Sequence, residues 1–103
     1  MNSLIKYMTS KQRSNLRAIA SKIDPVTQIG KSGINDALID SLDKAIEKRE
    51  LIKVTLLENS GLEVKETGFI LAEKLKAEFV FSTGRKIVLY RLSKNDKIKH
   101  IEF

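Results

Sequence analysis

Two glycines three positions apart mark the junction between a short apolar run and a long amphipathic segment. The run covers residues 26–29, the glycine stretch Gly30–Gly33 has the sequence GKSG, and the amphipathic segment covers 34–48. This pattern predicts a strand, a tight turn and a helix, because glycine allows backbone conformations and close approaches that a Cβ would prevent. A phosphate is favoured where the unpaired N–H groups of a helix start coincide with the positive end of the helix dipole. The junction is therefore a candidate phosphate site, to which Lys31 adds a mobile positive charge.

The same residues allow two other interpretations. A strand-to-helix turn without any ligand also explains the two glycines, because a single GxxG sequence is a weak signal. Gly30–Ser32 matches the end of the P-loop sequence G-x-x-x-x-G-K-[ST], but the first glycine of that motif falls on Pro25. We therefore expect no triphosphate site, whereas the phosphate and the plain-turn interpretations both stay open.

Charge is distributed unevenly along the 103 residues, whose formal net charge is +6. Residues 1–31 carry +5, residues 32–61 carry −2 and residues 62–103 carry +3. This order suggests one cationic face, which would attract a phosphate backbone and speed its capture. A solvated surface that keeps the protein soluble is the alternative.

Several classes of protein are not expected from the composition. The chain has no cysteine and one histidine, His100, so we expect no disulfide, no metal site, no cofactor and no catalytic triad. A membrane span is not expected without a run of about 18 apolar residues, and the apolar segment in residues 1–8 is short for a secretory signal. We expect a cytoplasmic, non-enzymatic monomer with one domain over residues 1–103, a core at 9–92 and a basic tail at 93–103.

Hydrophobic periodicity and turn residues predict an α/β (α+β) domain with the element order α-β-α-β-α-β-β. The helices are predicted at about 10–23, 34–48 and 63–76, and the strands at about 26–29, 51–57, 78–83 and 86–92. A capping box from Thr9 to Gln12 starts the first helix. The strand–helix–strand unit implies parallel pairing of the first two strands, and Gly84-Arg85 predicts a hairpin between the last two, so the four-stranded sheet is mixed.

Charged side chains suggest where a ligand would bind. Lys11, Arg13 and Arg17 lie off the apolar stripe of the first helix, and the two arginines are expected beside the glycine stretch. The second helix has an acidic side, which we interpret as solvated and which would repel a nucleic acid from the helix itself. Its members are Asp36, Asp40, Asp43 and Glu47.

Two features have two interpretations each. Phe79 and Phe81 are expected on one face of the third strand, where they either belong to the core or form an exposed surface for base stacking. Residues 93–103 either add an edge strand or pack loosely.

Five stretches together resemble the CRM domain, which is named for chloroplast RNA splicing and ribosome maturation. They are residues 15–18, 25–26, 29–34, 45–54 (AIEKRELIKV) and 84–91 (GRKIVLYR). The match runs from about Lys11 to Leu92, and the size is similar to that of the stand-alone bacterial, YhbY-like version. The glycine stretch by itself also resembles the GXXG loop of KH modules, which clamps a nucleotide backbone.

The resemblance implies a mixed four-stranded sheet with three helices, related to the KH-type topology and to the C-terminal half of a bacterial translation initiation factor. It implies RNA binding without a small-molecule substrate, and the expected target is precursor ribosomal RNA of the large subunit in pre-ribosomal particles. The G-K-x-G contact of the family corresponds here to Gly30, Lys31, Ser32 and Gly33. The expected basic surface comprises Lys11, Arg13, Arg17, Arg85, Lys86 and Arg91.

The alternative function is a protein-interaction module that docks on a ribosomal protein or assembly factor through the sheet face and the tail. The acidic second helix makes the chain less basic than the family resemblance leads us to expect, which lowers the expected nonspecific affinity for RNA. The two functions differ in salt dependence, because affinity that comes from phosphate neutralisation falls steeply as salt rises.

Overall fold

A mixed four-stranded sheet forms the centre of the protein, whose computed structural model describes residues 8–103. The helices are α1 (Ser10–Ala20), α2 (Asp36–Arg49) and α3 (Val64–Leu75), with a short 3₁₀ helix at Glu58–Ser60. The strands are β1 (Thr27–Ile29), β2 (Leu51–Leu56), β3 (Glu78–Thr83) and β4 (Lys86–Tyr90). The predicted α+β class and element order are confirmed. The expectation of no secretory signal concerns residues 1–8, of which 1–7 lie outside the described residues.

The strand order is β1-β2-β4-β3. β1 pairs with β2 in parallel and β3 pairs antiparallel with β4, as the sequence predicts. β4 also pairs antiparallel with β2, a neighbour that the sequence does not specify. The carboxyl ends of β1, β2 and β3 therefore meet the start of β4 at one end of the sheet, which we call the loop end. The connections at the loop end are the glycine stretch, residues 57–63 and the Gly84-Arg85 hairpin turn.

Helices cover both faces of the sheet. Along β4, Ile87 and Leu89 face α2 and α3, whereas Val88 and Tyr90 face α1. All four side chains are at most 3% exposed, which explains why β4 is a continuous apolar run instead of an alternating one. Neither face of the sheet is therefore open for docking in the part of the chain that the structure describes. A ligand must bind to loops, helices or the ends of the sheet.

Side-chain caps decide where the helices begin. The capping box between Thr9 and Gln12 is confirmed, with hydrogen bonds of 2.9 and 3.0 Å. α2 begins two residues after the predicted position 34, because Asn35 is extended and its side chain accepts the N–H of Leu38. Glu63 caps α3 in the same way, and hydrogen bonds from two first-turn N–H groups lower the pKa of its carboxyl. The apolar periodicity of α1 continues past the last helical residue, so it overestimates the length of this helix by three residues.

A β-bulge between Phe79 and Phe81 interrupts the pairing of β3 with β4. The extra residue breaks the alternation of side chains, so Phe79 packs against the α2–α3 core and Phe81 against the α1 core. The prediction that both phenylalanines share one face is therefore wrong. Each is half-buried: Phe79 meets Phe69 edge to face at 5.0 Å, and the Arg17 guanidinium lies 4.7 Å from the centre of the Phe81 ring. β3 thus offers no pair of phenylalanines for base stacking.

Gly68 lies inside α3 because the Phe79 ring occupies the space of a side chain there. A Cβ at Gly68 would lie 2.7 Å from two ring carbons of Phe79. We expect Gly68→Ala to lower the free energy of unfolding by about 1–2 kcal/mol, because displacing a packed ring outweighs the gain in helix propensity. Chemical denaturation measures the loss, and in a Phe79→Leu background the same substitution should be neutral or stabilising. Equal losses in both backgrounds would contradict this explanation.

Candidate nucleic-acid interface

The glycine stretch forms a tight turn at the loop end of the sheet. The Gly33 N–H donates to the Gly30 carbonyl at 2.9 Å, and Gly33 has a φ of +65°, in the left-handed region that favours glycine. A Cβ at Gly33 would meet nothing within 4 Å, so this side of the turn is open. Lys31 and Ser32 are exposed at its tip. The turn therefore combines an accessible backbone with a mobile cation.

The start of α2 is less suited to an anion than the sequence suggests. Two residues separate Gly33 from Asp36, the first residue of the helix. The Asn35 side chain already accepts the N–H of Leu38, which removes one of the donors that a phosphate would use. The Asp36 carboxylate adds negative charge to the first turn. A phosphate contact would therefore depend on the glycine turn and Lys31 more than on the helix dipole.

Arg85 and Lys86 lie at the loop end together with the glycine turn. Lys86 begins β4 and is exposed. Arg85 is half-buried and donates to the main-chain carbonyls of Leu56 and Leu57 at 2.9 and 3.1 Å. It thereby fixes the connection after β2, against which Gly30 packs. Arg85 supports the turn from inside, whereas Lys86 presents its charge to solvent.

Arg13 and Arg91 bind internal acceptors at the opposite end of the sheet. Arg13 donates to the Glu78 carboxylate at 2.8 Å and to two main-chain carbonyls of β3. Arg91 donates to the Asp43 carboxylate at 2.7 Å and to the carbonyl of the last α3 residue at 2.8 Å. RNA contact by these two arginines stays a prediction, and both hold secondary-structure elements together.

The basic residues of α1 lie away from the glycine turn. Arg13 and Arg17 contact β3, whereas the turn follows β1 at the opposite edge of the sheet. Three strand spacings, about 14 Å, separate the two edge strands. The prediction that the arginines flank the turn is therefore wrong, because the strand order places β2 and β4 between them. Lys11 is exposed on the same helix as the arginines.

A buried carboxylate, that of Glu50, anchors the end of the chain. It accepts the N–H groups of Ser93 and Ile101, each at 2.8 Å, and contacts Nδ1 of His100. Burial alone would raise the pKa of Glu50, but these hydrogen bonds outweigh burial and hold the pKa below its ordinary value. Residues 93–103 therefore neither add a strand nor pack loosely, and they are held against the α1 side of the sheet.

Glu47 takes part in the same anchor. Its carboxylate accepts the Lys94 N–H at 2.8 Å and the Ser93 hydroxyl at 3.1 Å. Burial opposes ionisation of Glu47, but these hydrogen bonds lower its pKa overall. The prediction of a solvated acidic side on α2 is therefore wrong for Glu47 and holds for the exposed Asp36 and Asp40.

The sequence analysis missed Glu50. The available signal was a lone acid between the end of a helix and a strand with an apolar start, in the sequence RELI. A carboxylate at such a junction is buried with its neighbours and must find donors elsewhere in the chain. The sequence does not show which donors these are, because they lie more than 40 residues away.

Two kinds of site are absent from the described residues. Within residues 8–103, no group of three or more His, Asp or Glu side chains is placed to hold a metal ion. Each helix in this part of the chain is too short or too polar to span a lipid bilayer.

Known proteins are similar to this chain over most of its length. Residues 8–91 match the family model of the CRS1/YhbY (CRM) domain. This chain belongs to the CRM domain family. This chain is 38% identical over 90 residues to the probable RNA-binding protein YqeI of Bacillus subtilis. The match covers 87% of this chain and 94% of the relative. The solution structure of a hypothetical protein from Staphylococcus aureus superimposes with a TM-score of 0.70 at 41% identity, covering 87% of this chain and 94% of that one.

Plant relatives contain the same domain within longer chains. The chloroplastic group IIA intron splicing facilitator of Zea mays is 29% identical over 96 residues, which cover 84% of this chain and 13% of the maize protein. The family resemblance deduced from the glycine stretch and the KRELIKV segment is confirmed.

The lowered pKa of Glu50 makes the stability of this CRM domain sensitive to acid. A carboxyl whose folded-state pKa lies below its unfolded value of about 4.3 stabilises the fold above that value and loses this effect as pH falls through the lowered pKa. We expect the unfolding temperature of the parent to fall between about pH 5 and 3. We expect Glu50→Gln to lower the free energy of unfolding by about 3 kcal/mol at pH 7 and to make the unfolding temperature less sensitive to acid. Thermal unfolding followed by circular dichroism measures both.

The matched control for this experiment is Glu102→Gln, at an exposed position in the same tail. It should unfold like the parent at every pH. If the parent and Glu50→Gln show the same pH dependence, the anchor does not depend on the ionised carboxylate.

Proposed function

We propose that this CRM domain is a non-catalytic RNA-binding protein that acts as a cytoplasmic monomer in assembly of the large ribosomal subunit, where it binds precursor ribosomal RNA. The observation that carries the proposal is the open glycine turn with Lys31 and Ser32 exposed at its tip. The relative from Bacillus subtilis, which is named as a probable RNA-binding protein, supports it. The proposed contact consists of Gly30, Lys31, Ser32 and Gly33.

The turn suits a phosphate oxygen for two reasons. Nothing lies within 4 Å of the position that a Gly33 side chain would take, so an RNA backbone can come close to the main chain of the turn on this side. Lys31 supplies a compact charge on a flexible stem, which can follow a phosphate without imposing one geometry. Lys86 adds a second exposed cation at the loop end. Counterions released by these contacts would make the affinity fall with salt.

Selectivity in this proposal comes from the shape of the RNA. The exposed carboxylates of Asp36 and Asp40 repel a strand that extends along α2, and the bulge in β3 keeps Phe79 and Phe81 apart. One phosphate clamp without a stacking surface reads little base sequence. It suits a folded RNA that presents a fixed backbone path, as a ribosomal precursor does. Moderate affinity also lets an assembly factor leave its particle.

A folded RNA can touch a second part of the surface. Lys11 and Arg17 are exposed on α1, which lies against β3 at the sheet edge opposite the glycine turn. We assign them a supporting role that requires an RNA wide enough to reach both sites. Arg13, Arg85 and Arg91 would contribute mainly through the fold, because their guanidinium groups donate to internal acceptors.

Removing the charge at the tip of the turn tests the contact. We expect Lys31→Ala to weaken binding of a precursor ribosomal RNA fragment about three- to tenfold and to reduce the slope of log affinity against log salt by about one. Lys74→Ala, which removes an exposed lysine from α3, is the matched control and should change both quantities little. Fluorescence titrations at several salt concentrations give the slopes. A folded Lys31→Ala protein that binds like the parent excludes the turn as the contact.

The assembly role has a separate cellular test. We expect the protein to migrate with large-subunit precursors in a sucrose gradient at low salt and to be depleted from mature ribosomes. Gradient fractions probed with an antibody measure this distribution. Presence only in the soluble fractions, or only on small-subunit particles, would contradict the assembly role without contradicting RNA binding.

A further inference from the structure

An open groove of about 840 Å³ lies between α1 and the carboxyl-terminal half of α2. We call it the α1–α2 groove. Its floor is aliphatic and mostly half-buried, and its residues come from α1, from the connection between α1 and β1, from β2 and from the tail. The floor residues are Ile19, Ile23, Val26, Leu51 and Ile101. The Ile101 N–H donates to the Glu50 carboxylate at 2.8 Å, so Ile101 contributes to the floor only while the tail is anchored.

The rim of the groove is cationic. Its exposed basic residues are Lys22, Lys44, Lys48 and Arg49, alongside Asp24. Lys44 pairs with Asp40 on the helix surface at 3.1 Å. The ion pairs found across residues 8–103 include none with Lys22, Lys48 or Arg49. Three positive charges outside these ion pairs therefore line the groove against one acid, Asp24, an arrangement that complements an acidic ligand with aliphatic side chains.

An acidic peptide fits the α1–α2 groove better than RNA does. No aromatic side chain is among the described residues that line it, so a base would find no ring to stack on. Asp36 and Asp40 lie on α2 between the glycine turn and the groove, so an RNA strand bound at the turn would cross negative charge to reach it. Branched aliphatic floor residues instead offer contacts to leucine, isoleucine or valine side chains.

We propose that the α1–α2 groove is a docking site for an acidic peptide segment of a partner protein. Aliphatic side chains of the segment rest on the floor, and its carboxylates face Lys22, Lys48 and Arg49. The groove lies toward the end of α2 that is remote from the glycine turn, so a protein partner and an RNA can be bound together. The inference stands independently of the RNA-binding proposal.

Fluorescence anisotropy with the full chain tests this inference. The probe is a labelled peptide of about ten residues that alternates glutamate and leucine, and the comparison ligands are the same peptide with lysine for glutamate and a single-stranded RNA of similar length. We expect the parent to prefer the acidic peptide and to bind it more weakly as salt rises. Lys22→Glu with Lys48→Glu should weaken this binding at least about tenfold, because attraction becomes repulsion at two contacts.

The control variant carries Lys65→Glu with Lys74→Glu, which makes the same change in net charge on exposed positions of α3. It should bind the acidic peptide within about twofold of the parent. Ala45→Phe narrows the groove without changing charge and should also weaken binding. Circular dichroism checks that each variant is folded.

The proposal is overturned if the parent does not bind the acidic peptide, if the lysine peptide binds as tightly, or if both double variants lose affinity equally. A last outcome concerns RNA. If the groove variant loses as much affinity for RNA as for the peptide, while the α3 variant keeps its affinity for RNA, the groove is part of an RNA surface and the proposal is overturned.

Discussion

The buried carboxylate of Glu50 is the interaction on which the α1 side of the molecule depends. A buried, unpaired carboxylate would cost several kcal/mol, and here it is paired only because the end of the chain folds back to supply the N–H groups of Ser93 and Ile101. The same return places Phe103 against Tyr90, with ring centres 4.9 Å apart. Burial and the charge of Glu50 raise the pKa of Tyr90 to about 12. Glu50 has a φ of +68°, which is unfavourable for residues other than glycine, and the hydrogen bonds of its buried carboxylate hold it in this conformation.

A sheet covered on both faces leaves its ends and the helix flanks for binding. The glycine turn lies at the loop end, and the α1–α2 groove lies toward the far end of α2. Asp36 and Asp40 separate the two surfaces along the helix. Each of the two surfaces is positive and attracts an anion. The acids between them repel an anion that extends from one surface toward the other, so the two surfaces are electrostatically distinct. The two proposed ligands would therefore occupy separate surfaces of one small domain.

Three of the arginines have a different task from the lysines at the loop end. Arg13, Arg85 and Arg91 each donate to several internal carbonyl or carboxylate oxygens and join elements that are distant in the chain. The planar, five-donor guanidinium suits such fixed acceptors, whereas the compact ammonium of lysine suits a mobile phosphate in water. Lys31 and Lys86 present their charges to solvent at the loop end. A count of basic residues therefore overstates the charge that is available to a ligand.

The sequence by itself determined the features that follow from local signals: the order of helices and strands, the capping box at Thr9, the parallel β1–β2 pair, the β3–β4 hairpin and the tight turn at Gly30–Gly33. Periodicity reports whether a side chain is buried, and glycines report where the chain turns, so both are readable over a few residues. The tertiary structure alone decided the strand order, the bulge that separates Phe79 from Phe81, the internal partners of the arginines and the anchoring of the tail by Glu50. Each of these depends on contacts between residues far apart in the chain, and a local pattern specifies that a group must be buried or paired without specifying its partner.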